Sequence, residues 1–156
     1  MRRLAQRTAD VARFWLDKGV GGFRFDAVPH IKKPAFTDRA PDEPDGMSAI
    51  HNATANTPGI LDFLKELKHE VMEGADAFNV GKANGVSPDD LPARVGDDGV
   101  FDMSFEFSHM TVPLGGTEDW YKLGDWKLTD LKKTFASSQQ ATAENGWYPI
   151  YLENRD

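Results

Sequence analysis

Arg24 and Asp26 stand two residues apart in the run Gly22-Phe23-Arg24-Phe25-Asp26-Ala27-Val28, which alternates aromatic with polar side chains until Pro29 ends it. In an extended strand this spacing puts the guanidinium and the carboxylate on one face and both phenylalanines on the other. A fixed arginine keeps a neighbouring carboxylate ionised and oriented, as a carboxylate nucleophile requires. A surface ion pair at a strand end has the same signature, and spacing alone favours that plainer reading. Other polar groups sit in comparable places: Lys82 after Ala77-Phe78-Asn79-Val80-Gly81, Glu106 in the run 101–107, and Asp156 after the run 147–152. His30, His51, His69 and His109 show no metal-ligand spacing. The Asp and Asn residues from Asp38 to Asn56 could hold a calcium ion through oxygen, although a solvated loop is the better reading.

Helices and strands must alternate to hold these groups. Residues 4–16 place Leu4, Ala5, Thr8, Val11, Ala12, Trp15 and Leu16 at helical spacing, and Lys18-Gly19 reads as the stop. A second helix is expected from Thr57 as N-cap and Pro58 in first position, through Ile60, Leu61, Leu64, Leu67, Lys68 and Val71, to Gly74. Ser87-Pro88 opens a short helix, and residues 128–143 form another with Leu128, Leu131, Phe135 and Ala136 on one face. Strand runs fall at 22–28, 77–81, 101–107 and 147–152, and residues 34–57 form a long polar loop.

This alternation predicts an α/β parallel sheet. No glycine-rich dinucleotide fingerprint or P-loop follows any strand run. Polar groups at the carboxyl ends of successive strands are instead the pattern of a (β/α)8 TIM barrel. A complete barrel takes roughly 200 residues or more. The chain is therefore expected to be a partial barrel of about four consecutive strand–helix units. Residues 1–156 would form one partial catalytic barrel domain that includes the loop 34–57. Open barrel edges make self-association an expectation.

The formal net charge of −7 argues against nucleic acid and anionic membrane surfaces as partners. The absence of cysteine excludes disulfides and thiolate metal sites. Apolar runs fall short of the ~20 residues a membrane span needs. Residues 1–16 are too charged for the apolar stretch of a secretion signal, so the expected location is cytoplasmic.

Three stretches carry a more specific likeness. Gly22-Phe23-Arg24-Phe25-Asp26-Ala27-Val28-Pro29-His30 resembles the second signature region of the α-amylase superfamily, glycoside hydrolase family 13. Val80-Gly81-Lys82-Ala83-Asn84 resembles the third, and Tyr151-Leu152-Glu153-Asn154-Arg155-Asp156 the fourth. They occur in the family's order, each at a strand end. The text between them, including Asn56-Thr57-Pro58-Gly59, is similar to the oligo-1,6-glucosidase and α-glucosidase branch.

The resemblance implies a retaining glycosidase acting on short α-glucosides, oligosaccharide or disaccharide, with no metal or organic cofactor in the chemistry. In such enzymes two carboxyl groups face each other across the sugar at ~5–5.5 Å. Asp26 would be the nucleophile and Arg24 its partner. Asp156 would stabilise the oxocarbenium-like transition state, and His30, Asn154 and Arg155 would bind substrate.

Two positions depart from the family. Lys82 stands where the acid/base glutamate belongs, and Arg155 where a histidine would bind the sugar. An ammonium group is a poor proton donor here, and a salt bridge to Asp26 or Asp156 would blunt the nucleophile. The chain is therefore expected to be inactive as it stands. A non-catalytic relative, acting as a sugar-binding or partner subunit, is the alternative.

Glu106 ends its own strand where the family does not place the acid, and Glu153 reads as a second-layer or substrate-side group. Neither is expected to replace the missing glutamate. A small residue at Ala27 is similar to α-1,4-cleaving members. Trp120, Tyr121 and Trp126 could stack on sugars, although packing is the better reading. Phe105 and Phe107 suit barrel core and subsite wall.

Overall fold

The computed structural model describes residues 2–49, 53–115 and 122–153, with residues 2–5 described by backbone alone. Helix α1 (Arg2–Asp17) leads through Gly19 into strand β1 (Gly22–Phe25). A 3-10 turn (Val28–His30) follows, then the long loop. Helix α2 (Ile60–Leu67) continues as a π segment (Lys68–Met72) before strand β2 (Phe78–Lys82). A 3-10 turn (Pro88–Asp90), strand β3 (Met103–Phe105), the short α3 (Ser108–Thr111) and α4 (Leu128–Thr142) complete the described order.

The strands form a parallel sheet in the order β1-β2-β3. Gly22 pairs with Phe78 and Phe25 with Gly81, while Lys82 pairs with Phe105. This register decides the two faces of the sheet. Phe23, Phe25, Asn79 and Gly81 share the face that packs on the helices, together with Ala9, Ala12, Leu64, Leu67, Val71 and Phe101. Arg24, Val80, Lys82, Met103 and Phe105 share the other. Two glycines permit the close approach. A Cβ on Gly22 would lie 1.8 Å from the Phe78 carbonyl oxygen, and one on Gly81 would lie 2.6 Å from the Phe101 ring.

Five expectations need correction. The second helix starts at Ile60 after Gly59 (φ 80), so Thr57 is not its N-cap: the Pro58-Gly59 turn intervenes, and the Thr57 carbonyl accepts the Ile60 N–H. The Ser87-Pro88 signal opens only a 3-10 turn. The apolar face expected on residues 128–143 is not the buried one. Leu128 and Ala136 are exposed, and the helix instead buries Ser138 and Thr142 in its C-terminal half. On α1, likewise, Ala9 and Ala12 are buried while Val11 and Trp15 are exposed.

The fourth strand is the largest departure. Residues 147–152 make a single parallel bridge, Met103 to Trp147, and no strand. Pro149 lacks the N–H a ladder needs, and tyrosine hydroxyls hold the segment by other means.

Residues 34–49 of the long loop are irregular but internally tied. Asp42 Oδ1 accepts the Ala49 N–H, Asp45 Oδ1 accepts the Met47 N–H, and Ser48 donates to the Ala40 carbonyl. Those carboxylates serve the backbone, and among the described residues no group of three or more His, Asp or Glu is placed to hold a metal. Among the same residues no helix is long and apolar enough to cross a membrane.

Candidate functional site

Because Phe25 pairs with Gly81, the next residues along, Asp26 and Lys82, meet at the carboxyl ends of β1 and β2. Lys82 Nζ lies 3.4 Å from Asp26 Oδ1, and Arg24 Nη1 lies 3.6 Å from the same oxygen. Two cations thus converge on one carboxylate oxygen. The Lys82 side chain is the most enclosed of the three at 15 % exposed, against 36 % for Arg24 and 58 % for Asp26. Its ammonium sits 5.6 Å above the Phe107 ring centroid, a cation–π distance.

Immediately after Asp26, Ala27 takes a left-handed conformation (φ 48, ψ 40) that turns the chain into the Val28–His30 segment. A non-glycine residue in this region carries strain of roughly 1–2 kcal/mol. Packing offsets it, since Val28 and Pro29 are buried. His30 Nδ1 is 2.8 Å from Thr54 Oγ1, and the Asn56 N–H donates to the Pro29 carbonyl. Asn56 Oδ1 in turn accepts from Arg94 Nη2 at 2.8 Å, so the returning end of the long loop braces the β1 end.

A second polar cluster lies past β3. Glu106 is fully buried. Its Oε2 accepts the Ser108 N–H at 2.6 Å, and its Oε1 accepts the hydroxyls of Tyr148 at 2.6 Å and Ser138 at 3.2 Å. Burial pushes its carboxyl up, but the hydrogen bonds from Ser108, Tyr148 and Ser138 outweigh burial and hold it below the ordinary 4.5. Both carboxylate oxygens are thus engaged as acceptors by neighbouring donors. Tyr148 is pushed up in turn, first by burial and then by the Glu106 carboxylate. His109 is buried beside them, stacked on Phe135 and edge-on to Tyr151, with Nδ1 3.8 Å from Glu106 Oε1.

This cluster escaped the sequence reading. Its signal was an acid followed three residues later by a histidine just past a strand, with tyrosines at 148 and 151. Glu153 is exposed. Trp126 is 41 % exposed, and Phe105 packs edge-on to Tyr151 at 5.4 Å. Asn154, Arg155 and Asp156 lie outside the described residues, as do His51, Trp120 and Tyr121.

The buried histidine sets a pH dependence. Burial lowers the His109 imidazole below its ordinary 6.5, and the nearby Glu106 carboxylate works in the opposite sense without cancelling it. Below pH 6.5 the unfolded chain takes up a proton that the folded chain resists. Stability is therefore whole above pH 6.5 and falls as pH drops toward the folded value of His109. Glu106, held below 4.5, extends the loss in the same direction at lower pH. His69, raised by its bond to Glu73, has the opposite sign, but that pair is exposed and screened. Melting temperature is expected to fall between pH 7 and pH 5, and His109→Phe to flatten that part of the profile. An unchanged slope in the variant would remove His109 as the cause.

The family model for the alpha amylase catalytic domain matches residues 2–156. The chain belongs to the alpha-amylase family. Among curated relatives, an oligo-1,6-glucosidase of Parageobacillus thermoglucosidasius is 32% identical over 160 residues, covering 99% of this chain and 28% of the relative. An alpha-glucosidase of Schizosaccharomyces pombe is 33% identical, covering 99% and 27%. Among solved structures, a trehalulose synthase variant in complex with the substrate sucrose superposes with a TM-score of 0.83 at 28% identity, covering 100% of this chain and 28% of that one. The three-stranded sheet is thus a section of the alpha-amylase family's (β/α)8 barrel, and the chain spans a little over a quarter of the length of these relatives.

Proposed function

We propose that residues 1–156 are a partial catalytic barrel of a retaining α-glucosidase that hydrolyses short α-glucosides or transfers glucose from them, and that this version is impaired. The observation that carries the reading is the Lys82 ammonium 3.4 Å from the Asp26 carboxylate, on strand ends that the register makes neighbours. Asp26 is the nucleophile in this reading, and Arg24 orients it. Lys82 occupies the acid/base position and instead neutralises Asp26. Asp156 stabilises the transition state, and His30, Asn154 and Arg155 bind the sugar. The substrate class is supported by relatives named for glucosidase activity and by a fold neighbour that binds sucrose. The small residue at Ala27 supports maltose as the first saccharide to test.

The ion pair also supports the second reading, a relative that binds sugar or a partner without turnover. Assay of the purified 156-residue chain with an aryl α-glucoside, alongside calorimetric titration with maltose, separates the outcomes. Turnover at the level of a blank with measurable maltose binding is expected. Turnover clearly above the blank would sink the impairment, and absence of any saccharide binding would count against the sugar site itself.

A further inference from the structure

Residues 147–153 run beside β3 without joining the sheet beyond the one bridge at Trp147. Glu106 takes up what strand pairing does not. Tyr148 donates its hydroxyl to the Glu106 carboxylate at 2.6 Å, and Tyr151 donates its own to the Glu106 backbone carbonyl at 2.8 Å. The carboxylate is itself fixed from two other elements. The Ser108 N–H holds one oxygen from α3, and the Ser138 hydroxyl reaches the other from α4. The rings of Phe105, Phe107 and His109 pack edge-on around Tyr151, with centroids 5.4, 6.0 and 4.4 Å away. One wholly buried acid therefore ties together β3, α4 and the segment that leads into Asn154.

We propose that Glu106 is a positioning residue: its carboxylate holds the Tyr148 hydroxyl and its backbone carbonyl the Tyr151 hydroxyl, and together they set the path of residues 147–153 past the end of β3. The anchoring stands on the hydrogen bonds. Its consequence for sugar binding rests on the function proposed above.

The variants Glu106→Leu, Glu106→Gln and Tyr148→Phe, each in the whole 156-residue chain, separate positioning from general packing. Glutamine can present its carbonyl oxygen to the Ser108 N–H and its amide N–H groups to the Tyr148 and Ser138 hydroxyls, which turn to accept, while the Tyr151 bond to the backbone carbonyl stays in every variant. Leucine leaves that Ser108 N–H and the Tyr148 and Ser138 hydroxyls without this partner. In hydrogen–deuterium exchange, Glu106→Leu is expected to speed exchange across residues 147–153 by about tenfold or more, with β1 and β2 unchanged, because local opening sets the rate. Glu106→Gln should restore most of the protection.

An absorbance titration gives a second readout, in which the late-ionising tyrosine should move toward 10 in Glu106→Leu. Equal acceleration along the whole chain, or no change at 147–153, overturns the proposal. If Glu106→Leu does not fold, Tyr148→Phe decides. It must loosen 147–153 selectively, and unchanged exchange there overturns the proposal. Maltose titration of the same proteins is read separately. Loss of saccharide binding in the unsubstituted chain counts against the glucosidase reading and leaves the exchange data to judge the anchor.

Discussion

Lys82→Glu is expected to raise α-glucoside turnover by about 10²–10⁴-fold, the range that general acid–base catalysis contributes. The comparison belongs in a complete barrel. This chain can replace the matching 28% of the Parageobacillus thermoglucosidasius oligo-1,6-glucosidase, once with Lys82 and once with the substitution. Two effects act together. The substitution removes the ammonium 3.4 Å from Asp26 Oδ1, leaving that carboxylate to Arg24. It also puts a carboxyl group beside Asp26, where the neighbouring negative charge favours the protonated form an acid needs. Measured kcat on an aryl α-glucoside checks it, with the unaltered relative as positive control. A folded pair of chimeras with equal, background kcat would show that position 82 is not what limits this site.

Phe101→Ala is expected to cost about 3–5 kcal/mol, as buried aromatic truncations do. Phe101 is 1 % exposed, and its ring packs against Phe25 with centroids 5.5 Å apart. It also fills the space above Gly81, where a Cβ would clash with it. Removing the ring opens a cavity directly behind the β1 and β2 ends that hold Asp26 and Lys82. Single domains are typically stable by only ~5–15 kcal/mol, so the loss would take much of the margin. Urea unfolding followed by near-UV circular dichroism measures it. A change below about 1 kcal/mol would mean that the core around Phe101 collapses without loss.

The sequence alone determined which chemistry-bearing residues exist and in what order the elements carry them. Alternation in 22–28 placed Arg24 and Asp26 on one face and the phenylalanines in the core, because a strand's side chains alternate regardless of its partners. Helix–strand alternation, with polar groups at strand ends, was enough to read a parallel α/β sheet of barrel type. Local signals failed where several geometries share one pattern. Thr57-Pro58-Gly59 reads as a helix start, yet forms the turn before one. The run 147–152 reads as a strand, yet Pro149 and the tyrosine hydroxyls hold it otherwise.

What only the tertiary structure decided concerns residues far apart in the chain. Register brings Lys82 against Asp26 across 56 positions and so makes an ion pair of them. Packing converts Glu106 from a polar group at a strand end into a fixed anchor, because Ser108, Ser138 and Tyr148 all donate to it from different elements. Neither fact is written in any local window, since each depends on which strand lies beside which and on how far water is excluded between them.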